Sequence, residues 1–170
     1  MFPITCSVVA ATPATRAVSD AKVEHRVHAY KHDPRSSDYG AEAVEAMAGH
    51  GIEAGRIFKT LVVELSGGRL AVAVIPVAER LSLKAVAAAL GAPKAVMADP
   101  AKAQRATGYV VGGISPLGQK QRLPTVVDDS ASSWDRVCCS AGRRGLELEL
   151  APADLVRLTD AVVARITSAA

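Results

Sequence analysis

Aromatic residues are scarce in this chain: six in 170, namely Phe2, Tyr30, Tyr39, Phe58, Tyr109 and Trp134. That argues against a nucleic-acid platform built from rows of stacking rings. Cysteine is limited to Cys6 and the neighbours Cys138 and Cys139. Three thiols cannot staple a disulfide scaffold, and no C-x-x-C or Cys/His ligand spacing marks a structural zinc site. Reduced thiols fit a cytoplasmic protein. No stretch approaches the roughly 20 apolar residues a membrane-crossing helix needs, so no membrane partner is expected. The opening MFPITCSVVAAT has an apolar run but no basic start, and it does not read as a signal peptide.

The composition is that of an ordinary globular chain. Hydrophobic residues make up 49% and charged residues 22%, which excludes disorder and fibrous repeats. The length suits one domain with a proper core. The net charge of +3 is too small to identify a nucleic-acid binder. Its distribution is more informative: residues 100–127 hold Lys102, Arg105, Lys120 and Arg122 and no acid, and Arg143 and Arg144 form a second basic pair. Such a surface favours a phosphate-bearing partner, although solvated loops can cluster charge in the same way.

Residues 1–11 read as a lead-in outside the folded body, with a single domain over 12–170. A short helix is expected at about 13–22. EHRVHAYKH (24–32) alternates as a strand, with His28, Tyr30 and His32 on one face. A turn-rich break follows, then a helix at about 41–49. RIFKTLVVEL, SGG and RLAVAVIPV read as a buried hairpin. LSLKAVAAALG is a helix with Ser82 as N-cap, and DPAKAQRATG is another capped by Asp99. Between these helices AVMA is a short strand. YVVGGISPLG reads as a strand entering a glycine–proline loop. PTVV, RVCCS and GLELEL supply three more strands. APADLVRLTDAVVARI closes the chain as an amphipathic helix whose buried stripe is Leu155, Leu158, Val162 and Ile166. The order lacks a regular βαβα rhythm. It predicts an α+β fold with a mixed, largely antiparallel, barrel-like sheet surrounded by helices.

Lys59 interrupts an otherwise apolar strand, where a charge is costly unless it faces a partner or a pocket; periodicity favours the other reading, a half-exposed strand whose polar face looks at solvent. GGISPLG (112–118) lets backbone amides approach a ligand, yet it is neither a P-loop nor a G-x-S-x-G elbow. His28 and His32 lack an evident third metal ligand, and a polar strand face lining a cleft suits them better. Ser140, Gly142 and Gly145 flank two arginines in a flexible turn. Glu147 and Glu149 read as a solvated strand face, with Glu147 able to lean towards a cleft. Cys138 and Cys139 read as inert packing.

The segments HAYKHDP, IFKTLVV, LAVAVIPV, MADP, QRATGYVVGGISPLGQKQRLPTVVD and GRRGLELEL stand in an order that resembles the YbaK-type Cys-tRNA(Pro) deacylases. These belong to the editing-domain family related to the insertion domain of prolyl-tRNA synthetase. The likeness spans about residues 24–160. It implies a mixed α/β barrel-like domain that removes cysteine from mischarged tRNA(Pro) in trans, in transient company with prolyl-tRNA synthetase. A pocket that sorts by size gains only about 1–3 kcal/mol per methylene, so a second sieve is needed.

By the same resemblance the family's essential lysine falls on Lys59, to hold the tRNA 3′ end or polarise the ester. The family's G-x-x-x-P loop falls on Gly112, Gly113, Ile114, Ser115 and Pro116, and the N–H groups of the residues before the proline would receive the ester oxygen. Tyr30 matches a pocket tyrosine, and Ser140 and Gly142 fall in the loop before the last strand. Close relatives have Asp where this chain has Glu147. The implied mechanism uses the substrate's own thiol, with no cofactor and no metal. Lys120 and Arg122 are the first candidates for tRNA contact. Two other readings remain open: an editing deacylase for Ala-tRNA(Pro) or another mischarged tRNA, and a non-catalytic tRNA- or synthetase-binding module.

Overall fold

The computed structural model describes residues 11–168. The expected lead-in at 1–11 therefore lies outside the described residues except for Ala11. The elements run α1 (Pro13–Asp20), β1 (His25–Ala29), α2 (Tyr39–Ala48), a 3-10 turn (Ala54–Arg56), β2 (Phe58–Leu65), β3 (Leu70–Pro76), β4 (Arg80–Leu81), α3 (Leu83–Ala89) and β5 (Ala95–Met97). They continue through α4 (Pro100–Thr107), β6 (Thr125–Asp128), a second 3-10 turn (Asp129–Ser133), β7 (Val137–Arg143), β8 (Leu146–Leu150), α5 (Pro152–Thr159), β9 (Val162–Ala164) and β10 (Thr167–Ser168).

The β2–β3 hairpin organises the core. Its turn places Gly67 at φ +92° and Gly68 at φ +87°, a backbone that residues with a Cβ adopt only at a cost. The hairpin lies inside a five-stranded mixed sheet of order β5-β2-β3-β6-β9. Both faces of that sheet are covered, which explains the unbroken apolar run of β3. Val72 and Val74 pack into a cluster with Leu146, Leu148, Leu150 and Leu155. Ala71, Ala73 and Ile75 face the other way, against Val86 and Ala87 of α3 and Ile166. A second, antiparallel sheet has the order β1-β8-β7, and β4 pairs with β10 alone.

Three expectations are corrected by the structure. The barrel-like closure is not found: among the described residues the strands form three separate open sheets. The closing helix also stops early. Asp160 adopts the left-handed conformation (φ 51°, ψ 42°) and ends α5, after which the chain extends into β9 alongside β6. Val162 is consequently exposed, whereas Ile166 is buried in the second cluster rather than on a helix stripe. The Ile166 amide donates to the Asp128 carboxylate at 2.9 Å and anchors the extension. Likewise YVVGGISPLG contains no strand; it is irregular throughout.

Candidate active site

The N-terminal turn of α2, the first half of β2, the segment after β5 and the loop 111–114 enclose a cleft of about 360 Å³. Lys59, Gly112, Ile114, Ser140 and Glu147 all line it. These residues come from three distant parts of the sequence, Ser140 and Glu147 being paired across one hairpin, and β2 packs against β7 to bring Lys59 to them.

Lys59 is half-buried and is the one basic side chain lining the cleft among the described residues. It makes no ion pair there. An ammonium in an apolar strand is tolerated when it faces a pocket, which accounts for the lysine in IFKTLVV.

Glu147 lies in β8, the middle strand of its sheet, and all five residues of that strand are buried. The expected solvated face is thus absent. Glu149 is neutralised: Arg56 Nη2 lies 2.8 Å from its Oε2 and His28 Nε2 lies 3.2 Å from its Oε1. Glu147 has no such company. Its Oε2 is buried without a hydrogen-bond partner, and burial pushes its carboxyl up to about 8. Thr60 Oγ1, also lining the cleft, is the other buried side-chain atom in this condition among the described residues.

The glycine loop is held by a stack. The Gly112 backbone is at φ +87°, and a Cβ there would sit 2.7 Å from the Tyr39 ring. On Tyr39 also rests the guanidinium of Arg144, 4.6 Å from the ring centroid, while Arg144 Nε donates to the Val111 carbonyl at 2.9 Å. The Gly113 amide donates to the Val110 carbonyl at 2.9 Å, so a turn already uses one of the N–H groups expected to receive the ester oxygen. The amides of Gly112 and Ile114 donate to no acceptor among the described residues.

Other expected site residues fall elsewhere. Ser115 is fully buried outside the cleft lining, and its Oγ accepts from the Leu117 amide at 3.2 Å, a turn-forming role. Pro116 and Arg122 line a separate groove, and Lys120 is exposed beyond the end of α4. Tyr30 lines a neighbouring cleft with Glu42, where burial first, then Glu147 and Glu42, push its phenol up to about 12. Gly142 supports Ser140, donating its amide to the Ser140 hydroxyl at 3.2 Å. The histidine face is split between partners: His28 meets Glu149, and His32 Nδ1 lies 2.6 Å from Glu42. Among the described residues no three His, Cys, Asp or Glu side chains converge as a metal cluster. Cys138 and Cys139 are fully buried and burial raises both thiols, to about 12 for Cys138. They pack, as expected; Cys6 lies outside the described residues. Thr60 and Tyr39 had no signal in spacing or periodicity, and Arg144 showed only as one of a basic pair in a turn. The adjacency of Thr60 to Lys59 could have pointed to Thr60.

The fold and the cleft define a small α+β domain with a cleft beside the β2 strand of its central sheet. The aminoacyl-tRNA editing domain family matches residues 39–158, and the chain belongs to this family. It is 38% identical over 159 residues to EbsC of Enterococcus faecalis, described as a proposed Cys-tRNA(Pro)/Cys-tRNA(Cys) deacylase, covering 92% of this chain and 93% of that one. Among solved structures it is similar to the hypothetical protein APE2540, with TM-score 0.80, 29% identity and coverage of 92% and 100% of the two chains. It is also similar to a proposed trans-editing enzyme for prolyl-tRNA synthetase, with TM-score 0.74, 25% identity and coverage of 93% and 99%.

Proposed function

We propose that this chain is a trans-editing deacylase that removes cysteine from mischarged Cys-tRNA(Pro). The observation that carries the reading is the make-up of the cleft. It joins one unpaired cation, Lys59, to a buried unpartnered acid, Glu147, beside two amides with free donors, those of Gly112 and Ile114. An aminoacyl ester at a tRNA 3′ end is the complement of that set. Its terminal phosphates suit Lys59, its α-ammonium suits Glu147, and its carbonyl oxygen suits the amides. Binding an ammonium would also draw the proton off Glu147 and relieve the cost of leaving it unpartnered.

The chemistry needs no protein nucleophile. The cysteinyl thiol loses its proton and its sulfur bonds to the ester carbonyl carbon. The bond from that carbon to the ribose oxygen then breaks, and the oxygen takes a proton. A four-membered cyclic thioester leaves, tRNA is freed, and water opens the ring to cysteine. The protein contributes proximity and stabilisation of the oxygen on which charge develops. Lys120 and Arg122 would touch the tRNA away from the cleft, and prolyl-tRNA synthetase would supply tRNA selection in a transient complex. The names of EbsC and of the synthetase-linked structure support this reading.

A second reading has one observation in its favour. A buried carboxyl with its pKa at about 8 is suited to activate water, which would permit hydrolysis of Ala-tRNA(Pro). Deacylation of Cys-, Ala- and Ser-tRNA(Pro) and of Cys-tRNA(Cys) separates the two. Turnover of the cysteinyl esters with serine and alanine spared supports the thiol route. Comparable turnover of alanine supports water, and no turnover of any supports a binding module.

A further inference from the structure

Six consecutive residues, 57–62, line the one cleft. Side chains of a strand alternate between faces, so a cleft that touches both sets meets β2 at its edge. The hydrogen bonds say which edge. Ile57 O accepts from Val77 N on the β3 side, and Val62 O accepts from Ala98 N on the opposite side. Backbone groups of a strand alternate in step with residue parity. Thr60, like Val62, therefore turns its N–H and C=O away from β3. Its pairing with Val74 is a non-hydrogen-bonded one, flanked by the bonded pairs Lys59–Ile75 and Leu61–Ala73.

That outer edge of β2 is occupied at both ends and open between them. Ile57 meets β7 in a single isolated parallel bridge to Cys138, and β5 pairs only with Val63, Glu64 and Leu65. The window centres on Thr60. It leaves the N–H and C=O of one residue without a strand partner, too few to seat an extended peptide. A single aminoacyl group carries that complement: an α-amino N–H and an acyl C=O, spaced as in a strand.

We infer that the aminoacyl group docks on Thr60 as a one-residue antiparallel strand. The Thr60 carbonyl accepts one N–H of the α-ammonium, leaving the others for Glu147, and the Thr60 N–H donates to the acyl oxygen, which keeps a lone pair for the amides of the glycine loop. The inference rests on the deacylase reading and adds a subsite to it. Directly opposed residues of an antiparallel pair share a face, with Cβ atoms about 4.5–5.5 Å apart. The substrate side chain therefore lies beside the buried, unpartnered Thr60 Oγ1, which becomes the group that inspects it. Main-chain recognition explains how a cleft can hold any small L-amino acid, and why the hydroxyl next to it was left without a protein partner.

The test uses the whole chain, labelled with nitrogen-15, and three stable probes: 3′-amino-3′-deoxyadenosine amide-linked to L-alanine, D-alanine or propionic acid. The L-alanyl compound should move the Thr60 amide proton downfield and slow its exchange with solvent. The D-alanyl and propionyl compounds should bind about tenfold more weakly, lacking the side-chain placement or the amino group. Thr60→Val keeps the main chain and should preserve the amide shift at position 60. An L-alanyl compound that binds without perturbing this amide, equal affinity for all three probes, or no binding of the L-alanyl probe would each overturn the inference. If the amide responds but no aminoacyl-tRNA is hydrolysed, the docking stands and the deacylase reading falls. If Cys-tRNA(Pro) is hydrolysed and the amide is silent, the docking alone falls.

Discussion

The guanidinium of Arg144 lies 4.6 Å over the centre of the Tyr39 ring, tying the turn between β7 and β8 to the first turn of α2. Gly112 closes on the same ring, so two walls of the cleft are held through one aromatic residue. Arg144→Ala removes both the stack and the bond to Val111. A cation–π contact of this kind contributes about 0.5–2 kcal/mol. The variant should stay folded and lose about tenfold in kcat/KM on its aminoacyl-tRNA. Arg144→Lys, which keeps a charge but not the planar fork, should fall between. Thermal melting alongside steady-state kinetics checks this; a variant with wild-type kinetics would remove the stack from the account.

Gly112→Ala meets two obstacles at once, a positive φ and a Cβ inside the contact distance of the Tyr39 ring. Backbone strain alone costs on the order of 1–3 kcal/mol. The substitution should lower the melting temperature and activity together. Gly113→Ala should do the same for a different reason, because its Cβ would meet the Arg143 and Arg144 backbone at 3.0 Å. Denaturant titration of both variants reads the effect.

Glu147 makes stability depend on pH in the direction opposite to an ion-paired carboxylate. Burial raises its folded value from 4.5 to about 8. Between those values the unfolded chain has released the proton and the folded chain still holds it. Stability is therefore complete below about pH 4.5 and falls as the pH rises towards about 8. Glu147→Gln stays neutral in both states. At pH 8 it should be more stable than wild type, by on the order of a few kcal/mol, and the gap should close near pH 4. A gap that does not change with pH would contradict the burial argument.

Reversing the charges of Lys120 and Arg122 together should weaken tRNA binding and flatten its dependence on salt by about one to two units of log–log slope, as expected for lost phosphate contacts. Both lie outside the cleft lining, so kcat at saturating substrate should hold. An unchanged salt slope would take these residues out of the tRNA contact.

Much of the fold could be read locally. Ser82 and Asp99 cap their helices, accepting from the amides of Ala85 and Ala101, because short polar side chains at those positions satisfy free donors. The β2–β3 hairpin followed from two glycines between apolar runs. What could not be read depended on distant partners. The periodicity of Leu155, Leu158, Val162 and Ile166 was helical throughout, yet parallel pairing of β9 with β6 outweighed it once Asp160 ended the helix. Glu147 and Glu149 alternate with leucines like a solvated face, but strands on both sides and Arg56, 93 residues away from Glu149, bury them. Lys59 entered the site only through family resemblance, since its periodicity pointed to solvent. Thr60 escaped both, because an open strand edge is a property of what does not pair with it.

Cleavage of a cysteinyl ester in this cleft, with Lys59 as its cation, can be tested in one assay. The most direct measurement is the rate of Cys-tRNA(Pro) deacylation by wild type and Lys59→Ala, both verified as folded by their melting curves. Wild type should turn over this ester and the variant should lose at least about a hundredfold, with serine left on tRNA(Pro) by both. Equal rates in the two proteins would contradict this role of Lys59.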